Sequence, residues 1–243
     1  MKTVYYSITI DAPLNGAYFH IPKLGENINN VLKQKFKDTP ESMHGWLLCP
    51  ATTQSLKNTF EIKNTLPFDF QFKEDGTLEV FSDGKGASKF RDEWVKSVWF
   101  LRSIKDKFAS LNYNIYFFCE EDLQLEQHHP WYSDGEFATN TYQTVGGFNI
   151  SKWLRPFQIT FIGKNNNKVS VKKDEPLCYV KFLTEEKIKF VQFEMTEKLY
   201  RISADCTNVK FLDPWRTLNY LYKKFTSLNF QKTVIKEIKN NLV

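Results

Sequence analysis

Apolar and polar residues alternate with a period of two in several short stretches of the chain, and this pattern predicts a strand-rich fold. Thr3 to Ile10 alternates in part and is rich in β-branched and aromatic residues, so it reads as an opening strand. Phe60 to Lys63 and Leu66 to Phe72 follow, the second with Phe68, Phe70 and Phe72 on one face. Glu74-Asp-Gly76 is a hairpin signal leading into Leu78 to Phe81. Asn114 to Cys119 and Leu123 to Gln127 read as strands. Five more come in quick succession: Tyr142 to Phe148, Phe157 to Gly163, Lys168 to Val171, Leu177 to Leu183 and Lys187 to Met195. Asn165 to Asn167 and Asp174 to Pro176 separate them as turns. Strands this closely spaced suggest an antiparallel sandwich or barrel.

Helical spacing is confined to a few places. Ile28, Val31, Leu32 and Phe36 predict a short helix within Asn27 to Phe36, and Ile104, Phe108 and Leu111 predict another over Arg102 to Leu111. Asp213-Pro214 is a helix start, with Asp as the cap and Pro at the first helical position. Trp215, Leu218, Leu221, Tyr222, Phe225 and Leu228 continue it, and Val234, Ile235 and Ile238 resume after a break near Ser227 to Asn229. The expected class is therefore α+β. A mainly antiparallel β domain covers residues 1–212, and a C-terminal helical segment over 213–243 packs on it or on a partner.

Composition narrows the class without naming a function. The chain has 243 residues, of which 42% are hydrophobic and 16% aromatic, with 22 Phe, 11 Tyr and 6 Trp against 10 Gly and 9 Pro. That is too apolar for intrinsic disorder and shows no fibrous or low-complexity bias. The formal charge is +5, mild for a nucleic-acid binder. It concentrates in 213–243, where Arg216, Lys223, Lys224, Lys232, Lys236 and Lys239 face only Asp213 and Glu237. Lys223, Lys224, Lys232 and Lys236 could together bind a nucleic acid, although a solvated helix face has the same composition. Cys49, Cys119, Cys178 and Cys206 form no CxxC pair, and the first three lie in apolar runs, as buried free thiols of a reducing compartment would. The opening MKTVYYSITIDAP lacks an apolar signal-peptide core, and no run approaches membrane-spanning length, so a cytosolic protein is expected.

Residues arranged for recognisable chemistry are few. The histidines are His20, His44, His128 and His129. His128 and His129 precede Trp131, Tyr132, Asp134 and Glu136. On a strand the two imidazoles would point to opposite faces, and the spacing matches no established metal signature, so a loop packed by Trp131 and Tyr132 is expected. Neither a metal nor a cofactor is anticipated. Gly84-Lys-Gly86 lacks phosphate-loop spacing, and no GxSxG motif occurs. Glu120-Glu121-Asp122 and Glu185-Glu186 read as solvated turns. Trp131, Tyr132, Trp153 and Trp215 each stand beside polar or basic residues, which makes them candidates for a binding surface.

One stretch carries a resemblance. Tyr142-Gln-Thr-Val-Gly-Gly-Phe-Asn-Ile-Ser-Lys-Trp-Leu-Arg-Pro156 is followed by a strand, an Asn-rich turn and Lys168-Val-Ser-Val-Lys-Lys-Asp-Glu-Pro-Leu-Cys-Tyr-Val180. With Cys49-Pro50 and Leu66-Pro-Phe-Asp69 upstream, this order resembles an uncharacterised protein family of marine tailed phages, over roughly residues 1 to 185. The same stretch is faintly similar to the dUTPase/dCTP-deaminase superfamily, which implies a β-clip-like core. There Gly146-Gly-Phe-Asn149 stands where the superfamily has Gly-x-x-Asp, and Lys173 to Leu177 where it has its Gly-Asp turn. Asn149 would replace the catalytic Asp, and an amide cannot act as a base near neutral pH. The Ser-Gly phosphate motif and Gly-rich arm of that superfamily are missing. These resemblances imply a phage protein of the host cytoplasm or virion, a non-enzymatic binding or structural protein with a protein partner or self-association. The alternative is an enzyme of unrecognised type, nucleotide-directed, with a degenerate dUTPase-like site. The residues that would form a binding site are His128, His129, Trp131, Tyr132, Asp134, Asn149, Trp153, Arg155 and Trp215.

Overall fold

Alternating stretches become strands wherever one side is buried. The computed structural model describes residues 1–8, 23–38, 45–47, 49–65, 67–82, 99–212, 217–227 and 230–243. In chain order its elements are β1 (Lys2–Ile8), β2 (Lys23–Asn27), α1 (Ile28–Lys35), α2 (Pro50–Ser55), β3 (Thr59–Lys63), β4 (Phe68–Phe72) and β5 (Leu78–Ser82). They continue with β6 (Trp99–Ser103), β7 (Phe108–Cys119), β8 (Gln124–His128), α3 (Glu136–Asn140), β9 (Thr141–Gln143), β10 (Gly146–Asn149) and β11 (Pro156–Gly163). The last are β12 (Val169–Val171), β13 (Pro176–Phe182), β14 (Ile188–Gln192), α4 (Glu197–Leu212), α5 (Leu218–Ser227) and α6 (Phe230–Asn240). His20, His44, the Gly84 loop and the helix start at Asp213 to Trp215 lie outside the described residues.

Among the described residues the strands form three sheets. The largest runs β14-β1-β7-β11-β9, with β6 also on β7; the second runs β10-β8-β13-β3-β2; the third runs β12-β4-β5. Among the described residues, pairing is antiparallel except between β1 and β14. The class is thus α+β with a mainly antiparallel β core. One main core lies between the inner face of the first sheet and the other two. Leu111, Phe117, Ile159 and Phe161 meet Ile62, Leu125, Val180, Phe182, Phe70 and Phe72 there. Aromatic edges lock the layers: Phe117 to Phe182 at 5.6 Å and Phe70 to Phe161 at 5.6 Å, in the edge-on geometry that ring quadrupoles favour.

Both sheet layers are also covered outside. Tyr5, Tyr116 and Phe118 on the back of the first sheet bury Val234, Ile235 and Ile238 of α6 together with Leu199 and Phe225. On the back of the second sheet, Tyr179 packs with Ile28 and Leu32 of α1 and with Leu47 and Leu56. Asn27 starts α1 by accepting the Asn29 N–H at 3.0 Å. Among the described residues, no helix is long and apolar enough to cross a membrane.

Several expectations need correcting. Arg102 to Leu111 is no helix: β6 and β7 form a hairpin, with Lys107 at φ 48° in its turn. Residues 109 to 111 are all buried, because β7 is covered on both faces, so the period-two signal vanishes. Tyr142 to Phe148 is two strands in different sheets. β9 pairs with β11, and the chain then crosses layers so that β10 pairs with β8. Gly147 permits that crossing, since a Cβ there would lie 2.8 Å from the Leu125 carbonyl oxygen. The helical region begins with α4 at Glu197, ahead of Asp213. Cys49 is exposed, while Cys119, Cys178 and Cys206 are buried, and all four are free thiols.

Glu175 shows how a buried charge is used structurally. At 8% exposure it accepts the Phe137 N–H on Oε1 and the Lys172 N–H on Oε2, both at 2.9 Å, tying the start of α3 to the turn before β13. Burial pushes its carboxyl above the usual 4.5, against the lowering effect of those two N–H groups. The folded state then holds the proton more tightly than the unfolded state. Its favourable contribution is complete below pH 4.5 and is lost as pH rises through the folded value. Urea unfolding of wild type and Glu175→Gln should therefore show wild type losing stability relative to the variant from pH 4.5 towards neutrality. A wild-type advantage that grows with pH would contradict this.

Candidate functional site

The outer face of the second sheet carries a row of polar side chains. Strand register sets Glu61 of β3 opposite Tyr179 of β13, and Tyr179 opposite His128 of β8. Side chains directly opposite across neighbouring strands share a face, so the three form one line. One step along, Lys181 stands opposite Glu126. Glu61 is 2% exposed and pairs with Lys63 at 2.9 Å. Tyr179 is also 2% exposed, and burial, followed by the charge of Glu61, pushes its hydroxyl well above the ordinary tyrosine range. Burial pulls His128 down against the raising effect of Glu126, 3.2 Å away, so its imidazole is neutral at pH 7.

Trp131 lies over this row. Its ring sits 5.2 Å from His128 and 5.6 Å, edge-on, from Tyr179, yet it remains 51% exposed. Tyr132 stacks on Trp46 at 5.6 Å and 24°, and Trp46 meets Phe36 edge-on at 6.0 Å. Lys35 joins α1 to this loop, donating to the Tyr132 carbonyl at 3.2 Å and approaching Asp134 at 3.6 Å. Asp134 otherwise faces solvent. His129 is half-buried among other neighbours: burial, then the charge of Lys164, pulls it down, while a hydrogen bond to the Ala138 backbone raises it. His128, Trp131 and Tyr132 are therefore gathered, and Lys35 ties Asp134 to their edge, whereas His129 has other neighbours. Among the described residues, no three His, Cys, Asp or Glu side chains are placed to hold a metal ion.

Asn149, Trp153 and Arg155 lie elsewhere. Asn149 closes β10 with a side-chain turn: Oδ1 accepts the Ser151 N–H at 2.9 Å and its hydroxyl at 2.6 Å, while Nδ2 donates to Asp122 at 2.7 Å. Hydrogen bonds from Lys152 and Asn149 hold the Asp122 carboxyl below the usual range. The amide is committed at both ends, which accounts for Asn at this position without a substrate. Trp153 is 5% exposed and belongs to the core beneath the C-terminal helices, so it offers no surface. Arg155 lies at the margin of that core, its guanidinium carbon 5.7 Å from the Phe148 ring centre. Trp215 lies outside the described residues.

The basic residues divide between two helices. Lys223 and Lys224 are exposed on α5. Lys232 and Lys236 are exposed on α6, where they line an open groove of about 550 Å³ with Ile235 and Lys239. Lys239 is engaged with Glu120 at 2.7 Å, and burying Ile235 is what turns this lysine face outward.

Sequence reasoning passed over Glu61, Tyr179, Glu126 and Trp46. One signal existed: a carboxylate at Glu61 between Phe60 and Ile62, inside a strand pattern, where a charge requires a partner. The partners come from strands far away in sequence, and no local spacing discloses them. Compared with known proteins, the chain matches no family model, no curated protein and no solved structure.

Proposed function

We propose that this chain is a non-enzymatic binding or structural protein of tailed-phage type, acting in the host cytoplasm or virion. It engages a protein partner, or a second copy of itself, through the surface centred on Trp131. The observation that carries this reading is the pairing of exposure and support at one large ring. Trp131 leaves 51% of its surface open while its edges rest on His128 and Tyr179. A ring already held in place loses little conformational freedom on binding and brings a large apolar area, which is why Trp and Tyr dominate interface energetics. The Tyr132–Trp46 stack widens the apolar patch, and Lys35, Asp134 and Glu126 give it a polar rim. The phage assignment rests on the resemblance carried by residues 142–180, Cys49-Pro50 and Leu66 to Asp69. The non-enzymatic reading is supported by Asn149, whose amide is spent on its own turn.

Trp131→Ala should change the free energy of unfolding by no more than about 1 kcal/mol, as for a side chain only half buried. It should weaken association at least tenfold, read by sedimentation velocity for self-association and by quantitative cross-linking in phage-infected cells for a partner. Association equal to wild type in both measurements would remove Trp131 from the interface and the reading with it.

A further inference from the structure

The back of the first sheet changes character along its length. At one end Tyr116 and Phe118 lie under the C-terminal helices; at the other the same face of β7 carries Ser110 and Asn112. Register places Gln158 opposite Asn112 and Thr160 opposite Ser110. The Thr160 hydroxyl hydrogen bonds with that of Thr144. Two guanidiniums enter this polar band. Arg102 Nε donates to the Ser110 hydroxyl at 3.0 Å, and Arg155 Nη2 donates to Gln158 Oε1 at 3.0 Å. Among the described residues, the one other hydrogen bond of Arg155 runs from Nε to the Pro156 carbonyl, at 3.4 Å. Both acceptors are neutral, and among the described residues no carboxylate pairs with Arg155. A guanidinium has five donors and a charge that is not lost near neutral pH. Here most of those donors are unused in a largely enclosed place beside a second cation.

We propose that Arg155, with Arg102 and the hydroxyl and amide groups of Ser110, Thr160, Asn112 and Gln158, forms a binding site for a phosphate-type oxyanion. The fork of Arg155 suits bidentate contact with two oxygens of a tetrahedral anion. Arg102 supplies a second positive charge, and the hydroxyls supply neutral donors. Asn112 Oδ1 is buried without a hydrogen-bond partner, a cost that a ligand donor or a turn of the amide towards the anion would relieve. Burial first, then the Arg102 charge, pulls the Arg155 proton affinity down, consistent with a cation awaiting its counter-charge. The site lies on the first sheet, separate from the Trp131 surface on the second, and does not depend on that reading.

The test is titration of the full chain with inorganic phosphate at constant ionic strength, by calorimetry and thermal unfolding, with phenyl phosphate as a parallel arm. Wild type should bind in a saturable one-site manner, and phosphate should raise its unfolding temperature. Tighter binding of the ester would assign the phosphate of a larger ligand; tighter binding of inorganic phosphate would assign the free ion. Arg155→Met should weaken binding at least tenfold and remove the phosphate-induced shift. In phosphate-free buffer it should unfold at or above the wild-type temperature, because it removes a buried charge that lacks a partner. Arg155→Lys keeps the charge without the fork, should bind with intermediate strength, and carries the test if the methionine variant does not fold. Changing Lys232 and Lys236 to Gln should leave binding unchanged. Absence of saturable binding by wild type would overturn the site, as would unchanged binding by Arg155→Met or loss of binding on changing the two lysines.

Discussion

Replacing Phe161 with alanine should destabilise the fold by about 3–5 kcal/mol, the range for truncating a buried phenylalanine. Phe161 is fully buried on β11, the strand between β7 and β9. Among the described residues its ring meets Phe137 at 5.1 Å, Phe70 at 5.6 Å and Phe72 at 6.3 Å. Those partners belong to α3 and to the third sheet, so one side chain joins three elements. Truncation removes the transfer free energy of the ring and leaves a cavity walled by rings on separate elements, which cannot all move inward together. Phe161→Leu should cost less, about 1–2 kcal/mol, since it keeps much of the volume and loses the edge-on pairs. Urea unfolding of both variants checks this: the midpoint should fall while the slope stays at the wild-type value. A loss under about 1 kcal/mol for Phe161→Ala would mean that the third sheet does not depend on this contact. Against a typical total of about 5–15 kcal/mol, the expected loss is a large fraction of what holds the sheets together.

Phe161 also shows which parts of the fold were legible in the sequence. Phe68, Phe70 and Phe72 alternate with polar residues, and β4 follows that pattern with its three rings buried. Gly76 marks its turn because it sits at φ +80°, where a Cβ would fall against the Ile104 carbonyl. Local rules suffice there because each residue meets solvent on one side and core on the other. They fail at Phe108 to Leu111, where both faces are covered and apolar spacing fits helix and strand alike. They fail again at Tyr142 to Phe148, where one run of strand formers serves two sheets. The candidate surface was half legible. Trp131 and Tyr132 stood out as aromatics among polar neighbours, but their supports, Tyr179 and Trp46, come from distant segments joined only by β13–β8 pairing and by the packing of α1. The polar band around Arg155 left no local trace, since its members share a face only through β7–β11 register.

Asn58→Ala should cost about 3 kcal/mol or more, from two causes that separate variants can divide. Asn58 ends the turn before β3 at φ 53°, in the left-handed region, and is 6% exposed. Its Nδ2 donates to the carbonyls of Thr184 and Glu186, both at 2.7 Å. Its own carbonyl accepts the Phe182 N–H at 3.0 Å. Those partners lie where the chain leaves β13 of the second sheet for β14 of the first, so one amide pins the crossing between the two sheet layers. Alanine forfeits both side-chain bonds, leaves two carbonyls short of a donor, and must hold a positive φ that costs about 1 kcal/mol for a residue with a Cβ. Asn58→Gly keeps the backbone freedom and loses only the amide, so it should lie between wild type and Asn58→Ala. Asn58→Asp keeps the shape but turns an acceptor towards two carbonyl oxygens, and should be at least as damaging as alanine at neutral pH. Thermal or urea unfolding orders the four proteins. If Asn58→Gly matched wild type, the two carbonyls would be satisfied without the amide, and the pin between the layers would lie elsewhere. If Asn58→Asp matched wild type, the side chain would not face those carbonyls. The expected order, wild type above Gly, Gly above Ala, and Asp no higher than Ala, requires both the left-handed backbone and the two donated hydrogen bonds.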